Sequence, residues 1–491
     1  MAQFYTEEEA TTAIKKFISK KMLQFARRKA HEAFRVYPES RQIRYLIAHI
    51  AVELRDFNAA TGLLEQLNAE DPGKFELLKL LTNSWNGAGY MDKAILYTNE
   101  VHEITGNEKE TLLTIADIYE RNNKIDLASE TLEKLSKETL AQPKFINVQA
   151  RILISNKQFE QAIELIENNV ERIGVECNEQ SLISVLFMQT KAYNKLGDYD
   201  MAWATAKKAH DLDTTPFDMD RYMGQFTEMQ EFMVGGMLDA LVKGPETDVE
   251  PLFIVGNPRS GTSLLEQIMS MHPDIENCGE MSVGMPMQLD VSTLADSFHN
   301  WPNNLVDLRE NEAKVLSDMY FEAVEFSRNG EKIVSNKALN LPLQVGFFSK
   351  IMPSSRAIML HRHPLDNAVS CYTTNLLAAG HPYTNRIENL GKVWVARRKI
   401  VEMWMEQLSI PVMELHYENL VANQRDETKR LISFLGLEWD EKCIEFHKSK
   451  RVAKTISYDQ VNKKMYSTSS GRWKNYEKHL GPLMDIVGDY M

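Results

Sequence analysis

Residues 253–263 read FIVGNPRSGTS, and this stretch decides the fold of the second half of the chain. The apolar run from Phe253 to Val255 predicts a buried strand, and the residues after Ser263 follow a helical pattern. A glycine-bounded loop between a strand and a helix is typical of an anion site, because N–H groups of the loop and the helix N-terminus converge on the charge. The stretch therefore predicts an α/β domain whose loop holds a phosphate-like group.

The spacing of this loop matches the P-loop pattern G-x-x-x-x-G-K-[ST] with one departure. Thr262 stands where nucleoside triphosphatases carry the lysine that reaches the β- and γ-phosphates, which disfavours a kinase or an ATPase. The loop offers Arg259, Ser260, Gly261, Thr262 and Ser263. This set suits a smaller terminal anion such as a phosphosulfate.

A second strand, loop and helix pattern follows in residues 356–372. The strand is predicted over 356–360, and the helix opens near Asn367. Arg362 and Ser370 are placed to clamp a second phosphate between a guanidinium fork and a hydroxyl. Two anion sites in one domain indicate a nucleotide with two separate phosphate positions.

Composition excludes several function classes. The chain has 491 residues and a net charge of −13, which disfavours general nucleic-acid binding. Its four cysteines stand far apart and form no disulfide framework, as expected in a reducing compartment. We find no signal-peptide core, no apolar run near the roughly 18 residues of a membrane span, and no metal-ligand spacing. We therefore expect a cytoplasmic protein without a membrane span or a metal.

A repeat runs through the first half. An apolar residue, two variable residues and an alanine recur every 34 residues, except for a last interval of 40. The alanines are Ala26, Ala60, Ala94, Ala128, Ala162 and Ala202. Such a period accommodates two helices and their turns, with alanine where the helices approach closely. Pro38 and Pro72 mark expected helix ends, and the extra residues predict a longer loop near 171–180.

Residues 8–215 resemble tetratricopeptide repeats. Such an array binds a peptide or another subunit on its concave face, or it scaffolds or dimerises the second domain, and the sequence leaves both open. We divide the chain into an array of about six repeats (1–215), a linker or connecting helix (216–249) and a second domain (250–491).

The two anion motifs carry a second resemblance. Residues 251–273, PLFIVGNPRSGTSLLEQIMSMHP, resemble the 5′-phosphosulfate loop of sulfotransferases that use 3′-phosphoadenosine 5′-phosphosulfate (PAPS). Residues 356–372, RAIMLHRHPLDNAVSCY, resemble their 3′-phosphate motif. Over about 250–485 the chain resembles the bacterial tetratricopeptide-repeat sulfotransferases, whose catalytic domain is similar to that of tyrosylprotein sulfotransferases.

This resemblance implies an N-terminal all-α repeat solenoid followed by a P-loop-like α/β domain with a central parallel sheet. The implied reaction moves a sulfuryl group from PAPS to an acceptor hydroxyl without a metal. The acceptor is a protein or peptide tyrosine, or alternatively a glycan, a lipid or a small molecule. A catalytically inactive domain that serves a repeat scaffold is a further alternative.

The resemblance also implies roles for individual residues. Glu280, in the phrase Cys-Gly-Glu, is the expected general base. Lys337 is expected to neutralise the leaving group at the bridging oxygen, and Arg259 is expected to hold the sulfuryl oxygens. Ser457 is expected to hydrogen-bond the leaving phosphate.

The remaining implied roles concern the nucleotide. Arg362 and Ser370 match the 3′-phosphate clamp, Tyr417 matches a tyrosine on the adenosine side, and Arg472 matches the segment that closes over the nucleotide. Histidines are the rival bases, because cytosolic small-molecule sulfotransferases use one. The candidates are His272 and His363, followed by His361 and His381.

Overall fold

The structure is a computed structural model that describes residues 6–20, 23–54, 57–281, 283–325, 330–377, 380–448, 465 and 469–491. Its first half is all helical, and its second half contains a five-stranded parallel sheet. The predicted fold class, an all-α region followed by an α/β domain with a central parallel sheet, is confirmed. Within the described ranges, every helix is too short or too polar to cross a membrane.

The first half consists of helix pairs that stack on one another. The pairs are α1 (Glu7–Ser19) with α2 (Leu23–Val36), α3 (Arg41–Glu53) with α4 (Phe57–Glu70), α5 (Phe75–Gly87) with α6 (Met91–Thr105), α7 (Glu108–Arg121) with α8 (Ile125–Glu133), α10 (Pro143–Ser155) with α11 (Phe159–Glu167), and α13 (Glu179–Leu196) with α14 (Tyr199–Asp211). The short α9 (Lys137–Leu140) and α12 (Val170–Glu176) lie between pairs.

The register alanines lie where the period places them. All six are on the second helix of their pair and are 0% exposed, which fits the close approach of neighbouring helices. Helices α2 and α4 each end two residues before the prolines predicted to stop them. The prediction of a longer loop near 171–180 is wrong for most of that segment, because Val170–Glu176 forms helix α12 with Ile173 buried.

The sheet of the second half positions the functional site. Its strands are β1 (Glu250–Gly256), β2 (Ile275–Asn277), β3 (Ile333–Asn336), β4 (Arg356–His361) and β5 (Val412–His416). They are parallel in the order β2-β3-β1-β4-β5, so all carboxyl ends lie at one edge. Strand β1 is central and buried from Pro251 to Gly256, which explains its unbroken apolar run.

Helices and 3-10 turns connect and cover the strands. The helices are α15 (Met219–Phe232), α16 (Met237–Ala240), α17 (Thr262–Met269), α18 (Gly284–Leu294), α19 (Glu310–Glu325), α20 (Val345–Ile351), α21 (Pro364–Tyr372), α22 (Ile387–Gln407), α23 (Tyr417–Ala422), α24 (Gln424–Phe434) and α25 (Gly481–Val487). The 3-10 segments are Val234–Gly236, Asn303–Asp307, Leu341–Leu343, Pro382–Asn385, Glu441–Lys448, Arg472–His479 and Gly488–Tyr490.

The array contacts the second half at both of its ends. Helices α13 and α14 share one hydrophobic cluster with α21 and α22. Helix α2 meets α18 through Arg28, which bonds the carbonyl of Leu289 and the hydroxyl of Thr293. The division at 215 and 250 remains our proposal, and hydrophobic contacts cross both of its boundaries.

Candidate active site

The loop between β1 and α17 forms the centre of the site. Strand β1 ends at Gly256, and α17 begins at Thr262, as the motif predicts. Arg259 has φ +65° and Gly261 has φ +105°, so the chain turns through left-handed conformations. A Cβ added at Gly261 would lie 2.6 Å from Cδ2 of Tyr417, so both the φ angle and the contact require glycine there.

The predicted loop and clamp residues come together. Arg259 donates from Nε to Ser370 Oγ at 3.2 Å, and Arg362 donates from Nη1 to the Arg259 carbonyl at 2.7 Å. The guanidinium carbon of Arg362 lies 4.7 Å from the ring centroid of Tyr417. Four residues from three separate motifs therefore line one region at the sheet edge.

Two buried polar atoms of this region suit an anionic ligand. Ser260 is 1% exposed, and its Oγ has no hydrogen-bond partner within the part of the chain that the structure describes. The Nε of Arg362 is likewise buried and without a partner among the described residues. Such groups are costly unless a ligand pairs with them.

A cavity lies beside these atoms. Residues from β1, β4, α21 and α22 and from the loops after both strands line it, including Gly256, Asn257, Ser260, Arg362, Asn367 and Arg397. Burial raises the pKa of the neighbouring Cys371 thiol to about 12, while Arg259, Arg362 and Arg397 oppose that rise by their charge. Three guanidinium groups therefore surround this region with positive charge.

Arg397 holds the loop from behind, and the sequence motifs missed it. It is 4% exposed and donates from Nε to Asn257 Oδ1 at 2.7 Å. Its Nη2 donates to the carbonyls of Leu339, at 2.6 Å, and Gly256, at 3.3 Å. The only sequence signal is a pair of arginines in a long helix, which is ordinarily a solvated surface.

Two residues of the first turn of α17 complete the loop. Thr262 is buried and Ser263 is partly buried. Their backbone N–H groups belong to the open end of a helix of eight residues, which favours a nearby negative charge. Asn367 fixes the loop from the α21 side, since its Nδ2 donates to the Pro258 carbonyl at 2.8 Å.

Glu280 and Lys337 meet on the neighbouring part of the edge. They follow β2 and β3, which pair in parallel, so both residues emerge at the carboxyl end. Lys337 donates from Nζ to Glu280 Oε1 at 2.9 Å. The lysine side chain is 1% exposed and the glutamate side chain is 49% exposed. The pair therefore offers a solvent-facing carboxylate on a buried ammonium group.

The backbone around this pair continues the sheet pairing. The Cys278 N–H donates to the Ser335 carbonyl at 3.1 Å, and the Lys337 N–H donates to the Gly279 carbonyl at 2.9 Å. Glu266, on α17, is 5% exposed and accepts the Gly279 N–H at 2.9 Å. Sequence reasoning missed Glu266, although an acidic residue within the apolar run LLEQIM signals a buried carboxylate.

Two of the four rival histidines have structural partners. His272 is 5% exposed, contacts the Glu438 carbonyl through Nε2 at 2.9 Å and receives the Asp274 N–H on Nδ1 at 3.2 Å. His361 contacts Arg398, and burial together with that charge lowers its pKa to about 3. Both rings are thus engaged away from the Glu280–Lys337 pair.

The other two histidines have different surroundings. His363 stacks on Trp473 with ring centroids 5.6 Å apart, and its Nδ1 is buried without a partner among the described residues. Burial lowers the pKa of His381 to about 4, helped by Arg397 and opposed by Glu280. A group with that pKa is neutral near pH 7.

Arg472 stands beside the clamp helix. Its Nη2 donates to Thr373 Oγ1 at 3.3 Å, next to the C-terminal end of α21. Asp366 holds the preceding turn by accepting the N–H groups of Gly471, at 2.6 Å, and Trp473, at 2.8 Å. Ser457 lies outside the described residues.

Among the described residues, no cluster of three or more histidine, cysteine, aspartate or glutamate side chains is placed to hold a metal ion.

The second half of the chain is similar to known proteins. Residues 251–441 match the sulfotransferase family. An uncharacterised protein of Aquifex aeolicus is 28% identical over 344 residues, which cover 67% of this chain and 44% of that protein. Protein-tyrosine sulfotransferase 1 of Danio rerio is 24% identical over 227 residues, which cover 44% of this chain and 61% of that protein.

Among solved structures, the sulfotransferase domain of the olefin synthase from Synechococcus PCC 7002 covers 48% of this chain and 90% of its own, at 17% identity and a TM-score of 0.35. The matched region spans less than two thirds of the Aquifex aeolicus protein and of the Danio rerio protein. The second half carries a sulfotransferase family domain that is homologous to protein-tyrosine sulfotransferases.

Proposed function

We propose that this protein transfers a sulfuryl group from PAPS to an acceptor hydroxyl. The observation that carries the proposal is the hydrogen bond between the buried Lys337 ammonium and the exposed Glu280 carboxylate, beside an electropositive loop. A base, a cation for the leaving group and an anion site are the three parts that an in-line transfer needs.

The residues present fit the donor. Ser260 Oγ and Arg362 Nε, both unpartnered among the described residues, supply hydrogen bonds for the anionic groups. We assign the 5′ side to the loop from Arg259 to Ser263, and the 3′-phosphate to Arg362 and Ser370. Tyr417, packed against Arg362, is assigned to the adenosine side. The match to the sulfotransferase family supports the same assignment.

The chemistry divides between the donor and the chain. When bound, PAPS supplies an activated sulfuryl group on a phosphate leaving group. Glu280 takes the proton of the acceptor hydroxyl, a role that contributes on the order of 10²–10⁴ in rate. Lys337 donates a hydrogen bond to the bridging oxygen and offsets the charge that develops there. Arg259 holds the sulfuryl oxygens.

Two further residues belong to this assignment. Arg472, bonded to Thr373 beside the clamp helix, is proposed to close over the nucleotide. Ser457 is proposed to hydrogen-bond the leaving phosphate. No metal is assigned a role.

We propose that the acceptor is the hydroxyl of a tyrosine in a peptide or protein. Homology to proteins named protein-tyrosine sulfotransferases supports this choice. The repeat array, which resembles tetratricopeptide repeats, supports it as a surface for a protein partner or a second copy of the chain. Transfer to a glycan, lipid or small-molecule hydroxyl is the alternative that an acceptor screen tests.

We place the protein in the cytoplasm. None of the four cysteines, Cys177, Cys278, Cys371 and Cys443, forms a disulfide, as is expected in a reducing compartment.

The donor site is tested by ligand-induced stabilisation. We expect 3′-phosphoadenosine 5′-phosphate at about 100 times its Kd to stabilise the protein by about 2.7 kcal/mol, without magnesium. ATP and ADP, with and without magnesium, are the controls. Arg362→Ala should abolish the shift, because it removes the guanidinium from the clamp. A shift only with ATP and magnesium would mean a kinase.

Activity then tests the chemistry. Sulfuryl transfer to tyrosine peptides should fall by about 10²-fold or more in Glu280→Gln while the stabilisation by the bisphosphate persists. Stabilisation by the bisphosphate without transfer to any acceptor would favour an inactive domain that serves a scaffold.

A further inference from the structure

The buried ammonium group of Lys337 faces two carboxylates, not one. Glu280 lies 2.9 Å from Nζ, and Glu266 lies 4.0 Å from it. The two differ in access to solvent, since the Glu266 side chain is 7% exposed and the Glu280 side chain 49%. Only Glu280 is therefore open to an incoming hydroxyl.

Glu266 makes a second contact that bears on the base. Its Oε1 accepts the N–H of Gly279, the residue before Glu280, at 2.9 Å. Gly279 has φ +71° with nothing within 4 Å of an added Cβ, so its glycine serves the turn and not a close contact. The bond from Glu266 thus holds the turn that aims Glu280.

We propose that Glu266 is a positioning residue that keeps Glu280 and Lys337 correctly oriented relative to the donor loop. This inference rests on the proposed function. Glu266 lies on α17, one helical turn after Thr262. A single side chain on helix α17 therefore contacts Lys337 and the turn that precedes Glu280, so the helix can align both residues with the loop.

The charge of Glu266 has its own role in turnover. When Glu280 accepts the acceptor proton, it becomes neutral, and Lys337 loses its nearest anion. A buried ammonium group without an anion is strongly unfavourable. Glu266 lies 4.0 Å from the ammonium group and is buried away from the acceptor, so a second carboxylate stays beside Lys337 while that ammonium group serves the bridging oxygen.

Two substitutions separate the contact from the charge. Glu266→Gln keeps an oxygen for the Gly279 N–H and removes the charge, whereas Glu266→Ala removes both. Asp274→Asn is the matched control, because this aspartate follows the same helix and its side chain is 59% exposed.

We expect Glu266→Gln to lower kcat about 10-fold or more, while the Kd for 3′-phosphoadenosine 5′-phosphate stays within about 2-fold of wild type. Glu266→Ala should lower kcat by about 100-fold, because the base is then misaligned as well. Asp274→Asn should match wild type in both measurements.

Hydrogen exchange supplies a readout that needs neither nucleotide nor turnover. The amide of Gly279 should exchange about 10-fold faster in Glu266→Ala and at the wild-type rate in Glu266→Gln. A kcat for Glu266→Gln within about 2-fold of wild type overturns the inference. A kcat loss matched by an equal loss of nucleotide affinity also overturns it, since that pattern marks a folding defect.

Failure of the proposed function looks different. A wild-type protein that transfers no sulfuryl group from PAPS to any acceptor overturns the proposed function. The exchange rates at Gly279 still test the contact from Glu266 in that case.

Discussion

The two ends of the repeat array contact the second half of the chain through different chemistry. At the last pair, Trp203 stacks on Tyr372 with ring centroids 4.4 Å apart, and His210 Nε2 contacts the Tyr372 carbonyl at 2.9 Å. At the first pair, Arg28 makes polar bonds to helix α18 and an ion pair with Asp290. The last pair therefore shares a hydrophobic core with helices α21 and α22, whereas the first pair contacts helix α18 through hydrogen bonds and an ion pair.

The two contacts are therefore expected to differ in strength, with a stable contact at the last pair and a weak contact at the first pair. Burial of aromatic surface contributes several kcal/mol, whereas partly exposed ion pairs contribute about 0–1 kcal/mol. Burial also raises the pKa of Asp290, so the charge of Arg28 does not fully offset the cost of desolvating that carboxylate. The last pair thus packs against helix α21, which carries both Tyr372 and Ser370.

The largest effect is expected from Trp203→Ala. Loss of a buried tryptophan should destabilise the protein by about 3–5 kcal/mol in urea denaturation. It should also weaken the binding of 3′-phosphoadenosine 5′-phosphate, because the helix that carries Ser370 loses its support. Trp85→Ala is the control, since Trp85 packs on Tyr90 within the array. Equal losses of nucleotide affinity in both variants would contradict a special role for the last pair.

A pH effect of intermediate size is expected from His210. Burial lowers its pKa to about 4 from the ordinary 6.5, so the native state binds fewer protons than the unfolded state between these values. Stability from this group is therefore complete above about pH 6.5 and is lost as the pH falls toward 4. We expect a loss of about 2 kcal/mol between pH 7.5 and pH 5.

The variant His210→Gln isolates the contribution of His210 to the pH dependence of stability, because the buried His361 and His381 titrate equally in both proteins. The stability difference between wild type and His210→Gln should shrink by about 2 kcal/mol as the pH falls from 7.5 to 5. A stability difference that does not change with pH would show that His210 is not held neutral where the last helix pair contacts the second half.

The smallest effect is expected from Arg28→Ala. We expect a loss of at most about 1 kcal/mol at low salt that fades in 1 M NaCl, with unchanged nucleotide affinity. Arg172→Ala is the matched control, because Arg172 pairs with Glu176 within helix α12. A salt-independent loss of several kcal/mol of stability in Arg28→Ala would mean that both ends of the array form stable contacts with the second half.

Much of the fold was predictable because its signals are local. The period of 34 residues placed six alanines that are all buried, and the run before Gly256 predicted the central strand. Helix α12 was missed, since seven residues between repeats carry too little periodicity to separate a helix from a loop.

The site residues also fall into those that local sequence signals predict and those that they do not. Arg259, Arg362 and Ser370 were predicted because each stands in a motif of fixed spacing, and they lie together in the structure. Glu266 was missed because Lys337 lies far from it in the sequence, and Arg397 was missed because Asn257 and Leu339 do. Their role depends on which loops the sheet order brings to one edge.

The sequence by itself determined the repeat register, the strand–loop–helix motifs and the residue types at the anion site, because these depend on spacings within about 35 residues. Only the tertiary structure decided that Lys337 is buried between two carboxylates and that the last helix pair packs against the helix that carries Ser370. Burial and the pairing of charges depend on distances between segments that lie remote from one another in the chain, and no local pattern records those distances.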